Sequence, residues 1–538
     1  MVTRSDDTGE NAETHGNGLE KSYQLACHLA VSGQLGRAKR ILQELESRVS
    51  ETQMRAQIQN DLGVISHLLG DRDQANARFQ SAFAIDANCE LVRTNLAFLE
   101  HACRKAGTSA PGEHRKNHSS HERARIAIIS LLFNWPSSGG GIAHTVGMAK
   151  ALAASGYEVR LLYARNPSWG VGNVESDLAI ESIPLDFDKS TGYADTIRSR
   201  FAQALDEWNP SSVIVCDSWN FKPHLAKAAR KYPYFMRFNA QECLCPLNNC
   251  RVLFESQSEF LQCPHHQLAA PDVCRQCVER MGNHSGVLHR LERELSGVND
   301  PSYVIMLRET LMEAKAVLVN NPTIAETLSP YAREIHVIPP GVDLARFPRE
   351  AVFYRPDRPI RPARVFMSGV IEEPFKGFAV LHEACRVLWG KRRDFELVIT
   401  AQQPGRIDEF TQSIGWLSQD AVVRAYFESD ICVAPSLVQD AFPTVTLEAM
   451  ACGRSVIASR IGGFLFQILE GRTGLMFKPG CISELAERIA YLLDHPEERC
   501  EIGRAGRARV EEHFSWKVIV DHHYRGLLET TEMTGCSL

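Results

Sequence analysis

The sequence predicts an α/β protein: two Rossmann-like domains facing a cleft, preceded by an all-α helical-repeat segment. Three observations carry that expectation. Beyond Arg123, apolar runs of strand length alternate with amphipathic helical stretches, as a parallel sheet covered on both faces requires. Between Leu19 and about Arg104, small and apolar residues recur three and four apart, with no strand-like alternation. The stretch Ser436 to Gly463, SLVQDAFPTVTLEAMACGRSVIASRIGG, reads as strand end, loop, helix and strand, the unit that places a ligand at the carboxyl edge of such a sheet.

Length and composition bound the answer. A chain of 538 residues exceeds what one core supports, so two to four domains are expected. With 44% hydrophobic and 23% charged residues the composition is that of a soluble globular protein. The formal charge of −6 and the lack of a Lys/Arg cluster interleaved with aromatics argue against nucleic acid as a partner. No apolar run reaches the length of a transmembrane segment, and the polar start MVTRSDDTGENAETHGNG does not read as a signal peptide. The expected location is cytoplasmic, with peripheral attachment to a membrane left open. In that setting sixteen cysteines read as reduced thiols or a metal site rather than a disulfide framework.

Residues 1–17 carry no apolar periodicity and are expected to be a disordered tail. Over 18–104, Leu62, Gly63, Gly70, Ala75, Phe79 and Ala82 fall where tetratricopeptide repeats place packing residues. An earlier unit echoes them with Gly33, Ala38 and Leu42, and Leu96 with Ala97 begins a third. Two uses stand open: a docking surface for a protein partner, or a helical cap on the α/β domains. The polar stretch 105–122, rich in Gly, Pro and Ser, reads as a linker.

The first Rossmann-like domain is expected over 123–345. A strand at Ile126 to Leu132 runs into SSGGG, a helix ending near Gly156, and a second strand at Val159 to Tyr163. Gly139 to Gly141 do not spell the dinucleotide fingerprint and no acid ends the next strand, which argues against a nicotinamide cofactor. His144, one turn into the helix, reads as a capping or surface residue. Further strands are expected at Val213 to Cys216, Tyr234 to Phe238, Ala316 to Val319 and Ile335 to Ile338. Between them, an insertion over 243–277 holds six cysteines. Its C-x-x-C at Cys274 and Cys277 can hold one metal ion from a single turn, and Cys245 with Cys263 can complete a Cys₄ tetrahedron, with His265 and His266 as rival ligands. The alternatives are a structural zinc and a loop of unligated thiols; a catalytic zinc is disfavoured because four thiolates leave no open position.

The second Rossmann-like domain is expected over 346–538, with strands at Arg364 to Ser368, Glu396 to Thr400, Ile431 to Ala434 and Ser455 to Ala458. Pro443 suits the first turn of the helix after the third of these, and Gly453 the left-handed position past its end. The backbone N–H groups of Phe442, Pro443's successor Thr444, and Val445 would then favour a phosphate. Asp440 lies before the helix and Glu448 inside it. Alone, each is as readily a helix cap and a surface acid. Together, two carboxylates that repel phosphate point to the hydroxyls of the same ligand, a nucleoside diphosphate sugar. Lys376 is placed to act as a point charge on the diphosphate.

QDAFPTVTLEAMACGRSVIAS resembles the paired-acid signature of family 4 retaining glycosyltransferases, and so do VIPPGVDLARF, FKGFAVLHEAC, the turn at Gly462 and Gly463, and HFSWKVIV. The resemblance covers about the last three quarters of the chain. It implies a GT-B fold, transfer of a sugar to an acceptor hydroxyl with retention of configuration, and no cofactor required for catalysis. It assigns Asp440 to the sugar hydroxyls and Glu448 to the ribose, and brings Gly140 and Gly141 to the cleft. It implies a saccharide, lipid-linked or protein acceptor, a role in polysaccharide or glycoconjugate synthesis, and a C-terminal helix over His513 to Leu528 that crosses back to the first domain. The sequence departs from the family at three places: Asp440 stands for the usual Glu, Val370 for the usual Arg, and Asn239 with Glu242 for a cleft His. Asn239 can orient a hydroxyl but not take its proton. Another GT-B chemistry, such as a sugar-nucleotide epimerase or a phosphorylase, and a non-catalytic binding protein acting through its repeats remain as rivals.

Overall fold

The computed structural model describes residues 19, 22–23, 25–26, 35–50, 52–68, 72–86, 123–136, 139–188, 193–253, 260–348, 362–369 and 371–529. The expected tail, the linker, the third repeat unit, Gly33, Gly70 and Val370 lie outside them. The chain divides into two compact units, Met1–Ser120 and His121–Leu538.

In the first unit, helices Leu35–Glu46, Thr52–Leu68 and Arg72–Ile85 follow one another. Ala38, Leu42, Leu45, Ile58, Leu62 and Ile65 form the core shared by the first two. Phe79 packs on Gly63 so closely that a Cβ there would collide with its ring, which is why a residue without a side chain sits mid-helix despite its poor propensity.

The second unit holds two seven-stranded sheets. The first contains β1 (Arg125–Ser130), β2 (Glu158–Arg165), β3 (Glu181–Asp186), β4 (Ser212–Val215), β5 (Tyr234–Phe238), β6 (Ala316–Val319) and β7 (Ile335–Val337), in the order β3-β2-β1-β4-β5-β6-β7. Every pairing is parallel. β4 and β5 are buried along their whole length, the signature of strands covered on both faces. The second sheet contains β8 (Ala363–Met367), β9 (Phe395–Ile399), β10 (Pro404–Arg406), β11 (Thr411–Ile414), β12 (Ile431–Ala434), β13 (Ser455–Ser459) and β14 (Leu475–Phe477), in the order β10-β11-β9-β8-β12-β13-β14. Only β10 runs antiparallel to its neighbour. In both sheets the order reverses beside the first strand, the place where open α/β folds bind ligands.

The C-terminal segment departs from the single crossing helix expected over His513 to Leu528. Ser515 is extended and breaks it, its side chain accepting from the Val518 N–H to start a new helix at Trp516. Val510 and Phe514 stay in the core of the second sheet's domain. Ile519, Val520, Tyr524 and Leu528 enter the core of the first. The Trp516 indole fills the space where Cβ atoms on Gly147 and Gly341 would stand, so it fastens the tail against the helix Gly140–Ala154 and the segment after β7.

Candidate functional site

The expected helix runs Thr444–Ala451, with Gly453 left-handed beyond it. Pro443 is the residue before the first turn, not inside it. The intrahelical N–H groups without a partner in that turn therefore start at Thr444 and Val445. Phe442 lies outside the helix, and its ring packs 5.7 Å from Phe514. The loop in front is fixed from several sides. An added Cβ on Gly463 would collide with the Ala441 carbonyl oxygen, and the Gly463 N–H donates to the Asp440 carbonyl at 2.7 Å. Asn321 of the first domain donates its Nδ2–H to the Ala441 carbonyl at 2.5 Å, so the edge of the other sheet helps hold the acid-bearing loop.

Lys376 comes from a different loop, the turn Pro374–Lys376 after β8. Gly377 closes that turn with φ +81° and leaves no room for a Cβ against the Pro435 carbonyl. Leu437 N–H then donates to the Phe375 carbonyl at 2.8 Å. The two loops are thus zipped together, and Lys376 Nζ stands 3.1 Å and 3.3 Å from the Asp440 carboxylate oxygens. Burial works against the Lys376 charge, but Asp440 outweighs it and holds the ammonium above its usual range. Glu373, which sequence reasoning missed, lies beside this pair; burial raises its carboxyl, and Lys376 works the other way.

Glu448 is half-buried one turn into the helix. Desolvation pushes its carboxyl up to about 6, opposed by the Arg346 guanidinium and the Tyr426 hydroxyl. Tyr426 is fixed by a 2.5 Å hydrogen bond with Ser368. Arg346, also not foreseen, comes from the short helix Leu344–Arg346, whose start is capped by Asp343.

On the first sheet's edge, Gly140 and Gly141 open the helix Gly140–Ala154. Gly140 is exposed, and Gly141 faces Asn239 and Asp217, whose nearest atoms lie 3.6 Å and 3.7 Å from the position of its absent Cβ. Asn239 is oriented by its neighbours: its Oδ1 accepts from Arg237 Nε at 3.3 Å and its Nδ2 donates to Asp217 Oδ1 at 3.5 Å. Glu242 is occupied with the Asn239 and Ala240 backbone N–H groups, at 3.1 and 2.8 Å. His144, expected at the surface, is buried against the Trp516 ring, and burial with Arg237 nearby holds its imidazole well below the usual range.

Cys274 and Cys277 sit on helix Pro271–Met281. Burial raises Cys274 to about 12 and Cys245 to about 11, and each also feels the neighbouring thiols, Cys263 and Cys277 among them. The four expected cysteines are therefore neighbours, and none is in a disulfide. Among the described residues, however, no three His, Cys, Asp or Glu side chains are drawn together closely enough to hold a metal ion.

Residues 362–495 match the family model described as "Glycosyl transferases group 1". The chain is 29% identical over 224 residues to a D-inositol 3-phosphate glycosyltransferase of Pseudarthrobacter chlorophenolicus, covering 37% of this chain and 53% of that protein. It is 28% identical over 253 residues to a glycogen synthase of Mycobacterium tuberculosis, covering 44% of this chain and 58% of that one. The chain thus spans little more than half the length of these relatives. In structure it is similar to the sucrose-phosphate synthase of Thermosynechococcus elongatus, with a TM-score of 0.56 and 19% identity over 76% of this chain and all of that one. The fold is GT-B. No helix among the described residues is long and apolar enough to cross a membrane.

Proposed function

We propose that the chain transfers a sugar from a nucleoside diphosphate sugar to an acceptor hydroxyl with retention of configuration. The observation that carries this reading is the pairing of Lys376 with Asp440, from two loops at the carboxyl edge of the second sheet, in front of the helix that carries Glu448 beside Tyr426 and Arg346. The match over residues 362–495 and the two glycosyltransferase relatives support it.

In this mechanism the donor's diphosphate draws Lys376 away from Asp440 and lies against the Thr444 and Val445 N–H groups. The bond between the sugar's anomeric carbon and the diphosphate oxygen breaks as the acceptor oxygen bonds to that carbon on the same face, and the acceptor hydroxyl's proton passes to the departing diphosphate oxygen. Negative charge grows on the departing diphosphate, and a pre-placed ammonium and helix amides stabilise it most where it grows. Asp440, freed from its ion pair, accepts from sugar hydroxyls, and ionised Glu448 accepts from the ribose. Two relatives with such different acceptors leave the acceptor to be set by the first domain.

Two further parts belong to the proposal. Cys245, Cys263, Cys274 and Cys277 draw in around a structural zinc, and the tetratricopeptide-like helices recruit a protein partner in the cytoplasm. The deciding experiment incubates the full chain with a panel of uridine, guanosine and adenosine diphosphate sugars and follows hydrolysis and nucleotide release by NMR. Slow hydrolysis of one donor with initial retention at the anomeric carbon is the expected result. No hydrolysis and no binding of any of them would favour the non-catalytic rival.

A further inference from the structure

The first sheet's edge holds a buried acid that the donor chemistry does not use. Asp217 follows β4 and is 8% exposed. Ser130 donates to its Oδ2 at 3.3 Å and Asn239 to its Oδ1 at 3.5 Å, both long for hydrogen bonds to a carboxylate. Desolvation raises its carboxyl above the usual range, while the Thr145 hydroxyl and Lys222 ammonium work the other way. Each carboxylate oxygen carries more than one lone pair, so these long hydrogen bonds leave Asp217 capacity to accept another.

The charges around it are largely engaged elsewhere, except that Arg237 Nη1 is buried without a partner among the described residues. Lys222 Nζ donates to the Cys216 and Arg237 carbonyls at 2.9 and 2.7 Å. Arg237 is turned to Asn320 and Asn239, and Glu242 is spent on backbone N–H groups. Asp217 Oδ1 lies 3.7 Å from the position of the absent Gly141 Cβ, next to the exposed Gly140.

Resting on the reading of the chain as a glycosyltransferase, we infer that Asp217 selects the acceptor: it accepts a hydrogen bond from a hydroxyl of a neutral polyhydroxy acceptor beside Asn239 and rejects acceptors phosphorylated near the reacting hydroxyl. A carboxylate and a phosphate brought together in a desolvated site repel each other strongly. Asn239 supplies the complementary Nδ2–H donor, so the pair reads a hydroxyl as both donor and acceptor. Asp217 thus acts as a specificity residue.

The test uses the full chain with whichever sugar nucleotide it hydrolyses and two matched sets of acceptors: myo-inositol, glucose and maltose, against inositol phosphate, glucose 6-phosphate and maltose 1-phosphate. The expected kcat/KM favours the neutral member of a pair by about tenfold or more. In Asp217→Asn that ratio collapses towards one through the acceptor KM, and Asp217→Glu restores part of it. A merely structural role for Asp217 would lower both members of each pair alike and keep the ratio. A wild-type preference for phosphorylated acceptors, failure to use any neutral one, or an unchanged ratio in Asp217→Asn overturns the inference. If the wild type hydrolyses no donor at all, the glycosyltransferase reading itself fails, and the assignment of Asp217 with it. The wild-type ratio stands as a test even where the Asn variant does not fold.

Discussion

Glu448 is held in its protonated form to an unusually high pH, because burial lifts its carboxyl from the ordinary value of 4.5 to about 6. Only the ionised form accepts hydrogen bonds from two ribose hydroxyls, so donor affinity should fall as pH drops through about 6. Titration calorimetry with an intact sugar nucleotide checks this, and Glu448→Gln should bind more weakly but lose that pH dependence. Linkage runs the other way for folding: a raised acid binds its proton more tightly when folded, so its contribution favours the folded state at low pH and is lost as pH rises from 4.5 to about 6. Glu448→Gln should therefore not lower the melting temperature at about pH 7, which separates a binding role from a structural one. Glu448→Ala should weaken nucleotide binding by about 1–3 kcal/mol, the size of a lost charged hydrogen bond; unchanged affinity would remove the residue from the site. Lys376 and Asp440 part company in a different way. Lys376→Ala should cut transfer by about 10²–10³, as loss of a pre-placed charge on a developing anion does. Asp440→Asn should chiefly slow transfer, since it releases Lys376 to the diphosphate while weakening the hold on the sugar.

At the scale of elements, the site depends on two glycine contacts, at Gly377 and Gly463. Gly377 adopts φ +81° against the Pro435 carbonyl. Gly377→Ala should cost at least about 1–3 kcal/mol from backbone strain alone, and differential scanning calorimetry should show it together with weakened donor binding, because the turn that carries Lys376 must move. The cysteine insertion is tested separately. If zinc is bound, freshly purified protein should contain about one equivalent, and Cys274→Ser should lower stability without altering donor affinity; metal analysis finding none leaves unligated thiols.

Much of the two-sheet unit was legible in the sequence for a physical reason. β6 and β12 are uninterrupted apolar runs and β5 is broken only by Arg237, so burial on both faces wrote them plainly. β3, β10 and β14 occupy sheet edges. β3 contains a proline and β10 is fully exposed, so neither carries the apolar signal of a central strand, while β14 is buried but only three residues long. Asp440, Glu448 and Lys376 were visible because short motifs order them along the chain. Asp217, Glu373 and Arg346 were not, because each meets its partners only through the fold: Asp217 reaches Gly141 and Asn239 from a different strand. For His144 the local pattern of a helix start favoured solvent, and the distant Trp516 buried it.

The whole molecule combines a helical unit, Met1–Ser120, with the two-sheet unit His121–Leu538. The cores of both sheets and the tail that fastens them are built from residues within the second unit. The helices Leu35–Glu46 and Thr52–Leu68 have a core of their own. Repeat helices stack to bury one face and leave another for a partner, and we propose that the polar sequence between the units acts as a tether. A protein beginning at Arg123 should therefore fold, melt within a few degrees of the full chain, and keep its sugar-nucleotide affinity by calorimetry. What it should lose is association with the partner recovered by cross-linking to the full chain in its native cell. If the shortened protein is insoluble or melts far below the full chain, the helices are needed by the two-sheet unit and the tethered-module proposal fails; if it folds and still captures the same partner, the docking surface lies on the two-sheet unit instead.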